Sequence, residues 1–178
     1  RFLRGMMMYY LLHIYGPVPV ILDPEMVGSI EAEQNMVRPT LEEMAQWITE
    51  DLEFGIANMP ETAPKGRYTA NYARFCLMKH SLNEGSHMTG YYDRAIALYG
   101  ELKTKGYSLY TAGGANAFAN QFKIANKFNS EVIMAVSCSG TGDGSGKNGN
   151  FNPTSWYVIP GNASKYADAA NTIPTPFV

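Results

Sequence analysis

Apolar residues recur every three or four positions between residues 41 and 59, which is the spacing of one face of an α-helix. Thr40 precedes this run and Glu43 follows three residues later, so the two side chains can form a capping box at the start of a helix. Pro60 then ends it. The polar residues between the apolar ones are expected to form its solvated face: Glu42, Glu50, Asp51 and Glu53.

Three further segments have helical patterns with clear ends. Residues 2–15 are apolar almost all round, which is typical of a buried helix, and Gly16-Pro17 stops it. Residues 69–84 are rich in small side chains, as closely packed helix pairs require, and precede Gly85. Residues 91–105 place Ala95, Leu98, Tyr99 and Leu102 on one stripe before Gly106. Ala95 and Tyr99 partly match the second helix of a tetratricopeptide repeat, without a strict 34-residue period.

The remaining segments are predicted to be irregular. Residues 18–22 form an extended apolar piece whose prolines exclude it from the centre of a sheet. Residues 23–38 are polar and aperiodic and are expected to be a loop. Residues 107–110 are expected to be extended, and residues 131–136 (EVIMAV) are the best strand candidate. The predicted fold is therefore mainly α, with irregular tetratricopeptide-like helix pairs, loop-rich segments and few short strands.

Charge is distributed unevenly along the 178 residues. Residues 1–105 carry 23 charged side chains and residues 106–178 carry 7, while the second part holds nine Gly and nine Asn. We interpret residues 1–178 as one domain, with a helical scaffold over 1–105 and a loop-rich, ligand-facing segment over 106–178. A net charge of −2 provides no field that would attract nucleic acid or an acidic membrane surface.

The first residues already resemble the middle of a helix, so we expect a fragment of a longer protein. The apolar run from Met6 to Leu22 is broken by His13, Gly16, Pro17 and Pro19, well short of the ~20 apolar residues that a membrane span needs. Two cysteines, Cys76 and Cys138, do not form a disulfide framework or a zinc motif.

Motifs for catalysis or cofactors are weak. Residues 144–149 match the Gly pattern of a dinucleotide-binding loop, but Asn-Phe-Asn-Pro follows and cannot open the required helix. His80, Glu84 and His87 have the spacing of a metal-binding helix face, yet Gly85 is expected to end the helix before His87. No activated nucleophile or suitable pair of carboxylates is evident. We therefore predict a protein that is not an enzyme, with no cofactor and no metal site.

Aromatic residues in the neutral Gly/Asn-rich segment suggest a carbohydrate site. Trp156, Tyr157 and Phe151 offer flat apolar faces that stack on sugar rings, and the Asn152 amide can donate and accept hydrogen bonds with hydroxyl groups. These four residues are the predicted ligand-binding residues. Alternatively, Trp156 anchors a long loop on the core.

An ordered series of segments over residues 1–136 resembles the SusD/RagB family. The segments are RFLR at 1–4, YGPVPV at 15–20, RPT at 38–40, ITEDL at 48–52, MP at 59–60, GRYT at 66–69, YYDRA at 91–95, GYSL at 106–109 and NSEVI at 129–133. Each segment is weak alone, but their shared order is specific. Within the scaffold, we expect Gly66 to make a turn and Arg67 to be a hydrogen-bonding anchor.

The resemblance implies a surface-exposed lipoprotein of the outer membrane, anchored by a lipid outside this chain. Such proteins capture oligosaccharides and pass them to a SusC-like, TonB-dependent barrel transporter, and they are binding proteins with no hydrolase activity. Because the ligand-binding loops vary between members, no binding residue is carried over from the family. A peptide-capture subunit of the RagB type and a helix-repeat protein-interaction scaffold are the alternatives.

Overall fold

The computed structural model describes residues 1–64 and 66–135, and residues Arg1–Ala135 form one compact unit. This part of the chain is mainly helical, as predicted, and it contains no β-strand, whereas few short strands were expected. The α-helices are α1 (Phe2–Tyr15), α2 (Ile30–Gln34), α3 (Leu41–Asn58), α4 (Ala70–Glu84), α5 (Tyr91–Thr104) and α6 (Ala117–Gln121). Short 3-10 turns occupy Pro24–Met26, Gly114–Asn116 and Ile124–Asn126.

The core is built by α1, α3, α4 and α5, each of which packs against the next of these helices along the chain. Helix α1 packs on α3, α3 on α4, and α4 on α5, which gives the helix pairs expected of a tetratricopeptide-like arrangement. Apolar side chains from all four helices meet between them, and their burial drives the association. The buried cluster consists of Phe2, Met6, Met8, Leu12, Met44, Ile48, Leu52, Ala73, Leu77 and Leu98.

The ends of the two central helices lie where their capping residues place them. The Glu43 amide donates to Thr40 Oγ1 over 3.1 Å and the Thr40 amide donates to Glu43 Oε2 over 2.8 Å, so the predicted capping box is present. Thr69 caps α4 in the same way, accepting a hydrogen bond from the Tyr72 amide. These side chains satisfy amides that a helix start leaves without intrahelical partners.

Helix α1 occupies the predicted residues, but the expectation that it is buried all round is wrong. It buries one face, and Gly5 brings that face so close to α3 that a β-carbon there would lie 2.8 Å from Cβ of Asp51. The opposite face stays exposed because within the described unit α1 packs mainly against α3 alone. Its exposed apolar residues are Leu3, Met7, Tyr10, Leu11, Ile14 and Tyr15.

Asp51 is also placed differently from the prediction, which assigned it to the solvated face of α3. Its side chain is 1% exposed and lies between Arg1 Nε at 2.7 Å and Arg4 Nε at 2.6 Å. Burial alone would raise the pKa of this carboxyl, but hydrogen bonds from Arg4 and Arg1 outweigh it and hold the pKa below its ordinary value. The residue therefore clamps α1 to α3.

Two irregular segments differ from expectation. Residues 23–38 contain a 3-10 turn and α2, because Asp23 and Ser29 each cap a following amide and so nucleate local helix. The predicted strand does not form over 131–135, since Asn129 accepts hydrogen bonds from the amides of Glu131 and Val132 in a turn.

A membrane span would need a longer and more apolar helix than any in the part of the chain that the structure describes.

Candidate functional site: a cavity beside the connector between α3 and α4

A cavity of about 370 Å³ lies beside the connector that joins α3 to α4. Its other walls come from residues 105–107 after α5 and from residues 128–135. The Ser108 amide donates to the Ser130 carbonyl over 3.1 Å and so ties these two walls together. We call this space the connector cavity. Its lining includes Glu61, Arg67, Asn71, Lys105, Tyr107, Phe128 and Asn129.

One wall of the connector cavity is held by a network around Arg74, a residue that the sequence interpretation did not single out. Arg74 Nη2 lies 2.9 Å from Glu61 Oε1, and Arg74 Nε lies 2.9 Å from Glu101 Oε2. Lys105 Nζ approaches Glu61 Oε1 at 3.2 Å. Hydrogen bonding to Arg74 is the main reason that the pKa of Glu61 lies below its ordinary value. Glu61 therefore stays charged and links the connector to α4 and α5.

The turn at Gly66 is present, but Arg67 is not the anchor that was expected. Gly66 has φ of 86°, which lies in the left-handed region that favours glycine. The Arg67 amide closes the turn by donating to the Pro64 carbonyl over 3.1 Å. The Arg67 side chain lines the cavity and has no hydrogen bond to any described residue. Arg74 takes the anchoring role instead, because it lies on α4 with its side chain 10% exposed.

The lining of the connector cavity combines polar groups with aromatic surface. Asn71, Lys105 and Arg67 offer donors, and Tyr107 and Phe128 add aromatic rings. Glu61 is the single carboxylate among the described lining residues, and its oxygens already accept from Arg74 and Lys105. Such a lining can hydrogen-bond to a polar ligand that also presents an apolar face.

The predicted ligand-binding residues Trp156, Tyr157, Phe151 and Asn152 lie outside the described residues. The Gly-rich segment at 144–149 lies there as well. Their assignment therefore stays a prediction, and no contact between them and the connector cavity is stated.

The sequence spacing suggested His80, Glu84 and His87 as a possible metal-binding group, but the structure places a different histidine beside His80 and Glu84. His80 and Glu84 lie on one buried face of α4, while His87 lies beyond the end of the helix. The third partner is His13 from the last turn of α1: one ligand atom from each of His13, His80 and Glu84 lies within 4.8 Å of the others. Residues 67 positions apart cannot be matched by local spacing, so no sequence signal pointed to His13.

Comparison with known proteins shows which proteins this chain is similar to. Residues 1–77 match the family model SusD-like_3, described as "Starch-binding associating with outer membrane". A curated SusD-like protein from Bacteroides ovatus is 29% identical over 145 residues, covering 76% of this chain and 25% of the relative. The chain thus spans about a quarter of the length of that relative.

Solved structures give the same result. A SusD-like protein from Bacteroides fragilis superposes with a TM-score of 0.64 at 24% identity, covering 75% of this chain and 25% of the other. A structure determined with a xylogluco-oligosaccharide superposes with a TM-score of 0.57 at 28% identity, covering 78% and 28%. Sequence and fold together confirm the resemblance to the SusD/RagB family.

Proposed function

We propose that this chain is part of a SusD-like glycan-binding protein that captures oligosaccharides at the outer membrane and does not hydrolyse them. The observation that carries this proposal is the likeness, in both sequence and fold, to a protein whose structure was determined with a xylogluco-oligosaccharide. The family description of residues 1–77 supports the same ligand class and the same membrane.

Within this function, residues 1–105 are the scaffold and the Gly/Asn-rich segment supplies the ligand contacts. Trp156, Tyr157 and Phe151 stack on sugar rings, and Asn152 bonds to hydroxyl groups. The connector cavity, which is lined by residues of both parts, adds a polar and aromatic surface of suitable chemistry. Because few rings act together, we expect dissociation constants roughly in the micromolar to millimolar range.

The full-length protein is proposed to be a surface-exposed lipoprotein that delivers its ligand to a SusC-like, TonB-dependent transporter. Support comes from the resemblance to the family and from its description as associating with the outer membrane. Recovery of a large barrel protein with the tagged full-length protein, purified from detergent-extracted outer membranes, is the expected result. Its absence under conditions that retain other outer-membrane complexes would argue against the delivery step.

Titration calorimetry tests ligand capture directly. Xylogluco-oligosaccharides, malto-oligosaccharides and a set of short peptides are titrated into the protein and into its Trp156→Ala and Tyr157→Ala variants. Loss of one stacking contact worth about 1–1.5 kcal/mol corresponds to roughly tenfold weaker binding. Tyr99→Ala is the matched control, because Tyr99 is 57% exposed on α5 and does not belong to the proposed segment.

The outcomes of this titration separate the proposals. Oligosaccharide binding that weakens in both variants and is unchanged in the control supports glycan capture. Binding of peptides alone would replace it with peptide capture of the RagB type. Binding of neither class would leave the interaction scaffold, and equal weakening by Tyr99→Ala would contradict the assigned residues.

A further inference from the structure

A buried histidine on α4 has a ring nitrogen without a partner. His80 is fully buried, and its Nε2 lies 3.0 Å from the carbonyl oxygen of Ala45 on α3. Since a carbonyl only accepts, Nε2 carries the proton, and the lone pair of the neutral ring is on Nδ1. Nδ1 is itself buried and has no hydrogen-bond partner among the described residues. An unpaired acceptor of this kind is costly in a protein interior.

A buried carboxylate lies one helical turn further along. Glu84 follows His80 by four positions on the same face of α4, and its side chain is 6% exposed. Within the described residues, the one ion pair or hydrogen bond of this carboxylate is to His13 Nε2 at 3.6 Å. Buried carboxylates are normally paired with a cation, hydrogen-bonded or bound to a metal. Glu84 and His80 thus each lack a strong partner at the same place.

His13 completes the set from α1. Its ring packs edge-on against Tyr9 with centroids 4.4 Å apart, and its Nε2 lies 3.3 Å from Nδ2 of Asn83. One ligand atom each from His13, His80 and Glu84 lies within 4.8 Å of the other two. In tetrahedral zinc with ligand bonds of ~2.0 Å, ligand atoms are roughly 3.3 Å apart. The distance of 3.6 Å from His13 to Glu84 is already close to that value, and exposed His13 can rotate to close the set.

We propose that His13, His80 through Nδ1, and Glu84 form a zinc-type metal site that bridges α1 and α4. Two neutral imidazoles and one carboxylate are borderline and hard donors of the kind that zinc selects, in the three-ligand set that leaves a fourth position for water. The hydrogen bond from His80 to Ala45 has the form of an outer-shell contact that orients a metal-binding histidine.

Access to the site is provided by a second cavity, of about 440 Å³. His13 and Glu84 line it together with Leu12, Gly16, Leu41, Asn83 and His87. A metal ion and a water ligand can reach His13 and Glu84 from this side, while His80 does not line the cavity.

The test uses Zn²⁺ as the probe on protein first treated with EDTA and dialysed. We expect calorimetry to give one Zn²⁺ per chain, and Co²⁺ to give the visible absorption of a tetrahedral site. His13→Asn and Glu84→Gln should each weaken Zn²⁺ binding by at least tenfold, since even loss of an outer-shell partner costs about 10–100-fold. His80→Gln keeps a donor toward Ala45 while removing Nδ1, and should weaken binding similarly.

His87→Asn is the matched control, because His87 lines the same cavity and belongs to the alternative motif on α4 but not to the cluster. Its Zn²⁺ affinity should equal that of the unmodified protein. Loss of binding in His87→Asn with retention in His13→Asn would overturn the proposal. So would absence of stoichiometric binding, or binding that survives all three ligand variants.

A second readout covers the case in which the buried variant fails to fold. Zn²⁺ should raise the melting temperature of the EDTA-treated protein, because a ligand that binds only the native state stabilises it. The rise should vanish in His13→Asn, whose side chain is partly exposed and whose replacement leaves the core intact. An unchanged rise in that folded variant would exclude the bridge between α1 and α4.

Discussion

The Asp51 clamp provides the sharpest test of how α1 is held on α3. Replacing Arg4 with Met keeps much of the aliphatic stem but removes the guanidinium that contacts both oxygens of Asp51. Asp51 remains 1% exposed, with Arg1 as its remaining cationic partner. The buried charge then has less compensation, so we expect its pKa to rise and the native state to lose stability.

The size of the stability loss depends on which charged side chain remains buried after the substitution. Removing one member of a buried ion pair costs about 3–5 kcal/mol when the other charge stays buried, and the retained Arg1 reduces this to about 2–4 kcal/mol for Arg4→Met. Asp51→Asn leaves Arg1 and Arg4 with side chains 43% and 32% exposed, so both can reach water. That change should cost only about 1–2 kcal/mol.

Urea unfolding followed by circular dichroism at pH 7 measures the two variants and their double mutant. The double mutant should be more stable than the sum of the single losses predicts, by about 1–3 kcal/mol. Equal costs for the two single variants, or additivity within about 0.5 kcal/mol, would refute the reasoning. Gln46→Ala serves as a control on the exposed side of α3, where it removes only a surface hydrogen bond to Glu50.

The pH dependence has a defined sign. The folded-state pKa of Asp51 is lowered, so its contribution is present above the unfolded-state value near 4 and is lost as the pH falls toward the folded-state pKa. The stability gap between the unmodified protein and Arg4→Met should therefore narrow as the pH is lowered through about 4. A gap that stays constant from pH 7 to pH 3 would show that Asp51 is not its source.

Two further predictions concern packing and capping. Gly5→Ala should destabilise the protein by about 1–3 kcal/mol because its β-carbon would meet Asp51 at 2.8 Å, whereas Gly100→Ala, with nothing within 4 Å, should stabilise it by about 0.4–1 kcal/mol. Thermal melts of the two variants check this, and a stabilised Gly5→Ala would contradict the close approach. Thr40→Ala removes the capping side chain that bonds to the Glu43 amide and should cost about 1 kcal/mol in urea unfolding; an unchanged midpoint would show that the capping box contributes nothing.

Much of the candidate site was beyond prediction because its parts come from distant positions. The turn at Gly66 follows from local chemistry and could be read from the sequence. Arg74 is one of several charged residues on α4, and its role depends on Glu61 and Glu101, which only the fold brings to it. The cavity is likewise formed by three segments that are far apart in the sequence, at residues 61–71, 105–107 and 128–135.

By itself, the sequence determined the helices: their apolar spacing, the capping box at Thr40 and the breaks at Gly16 and Pro60 depend on interactions within a few residues. It also carried the ordered segments that resemble the SusD/RagB family. Only the tertiary structure decided which polar residues are buried and what they meet. Helical periodicity fixes the direction in which each side chain projects from its helix. The packing of the neighbouring helix determines whether that direction faces water, as Asp51 and His80 both show.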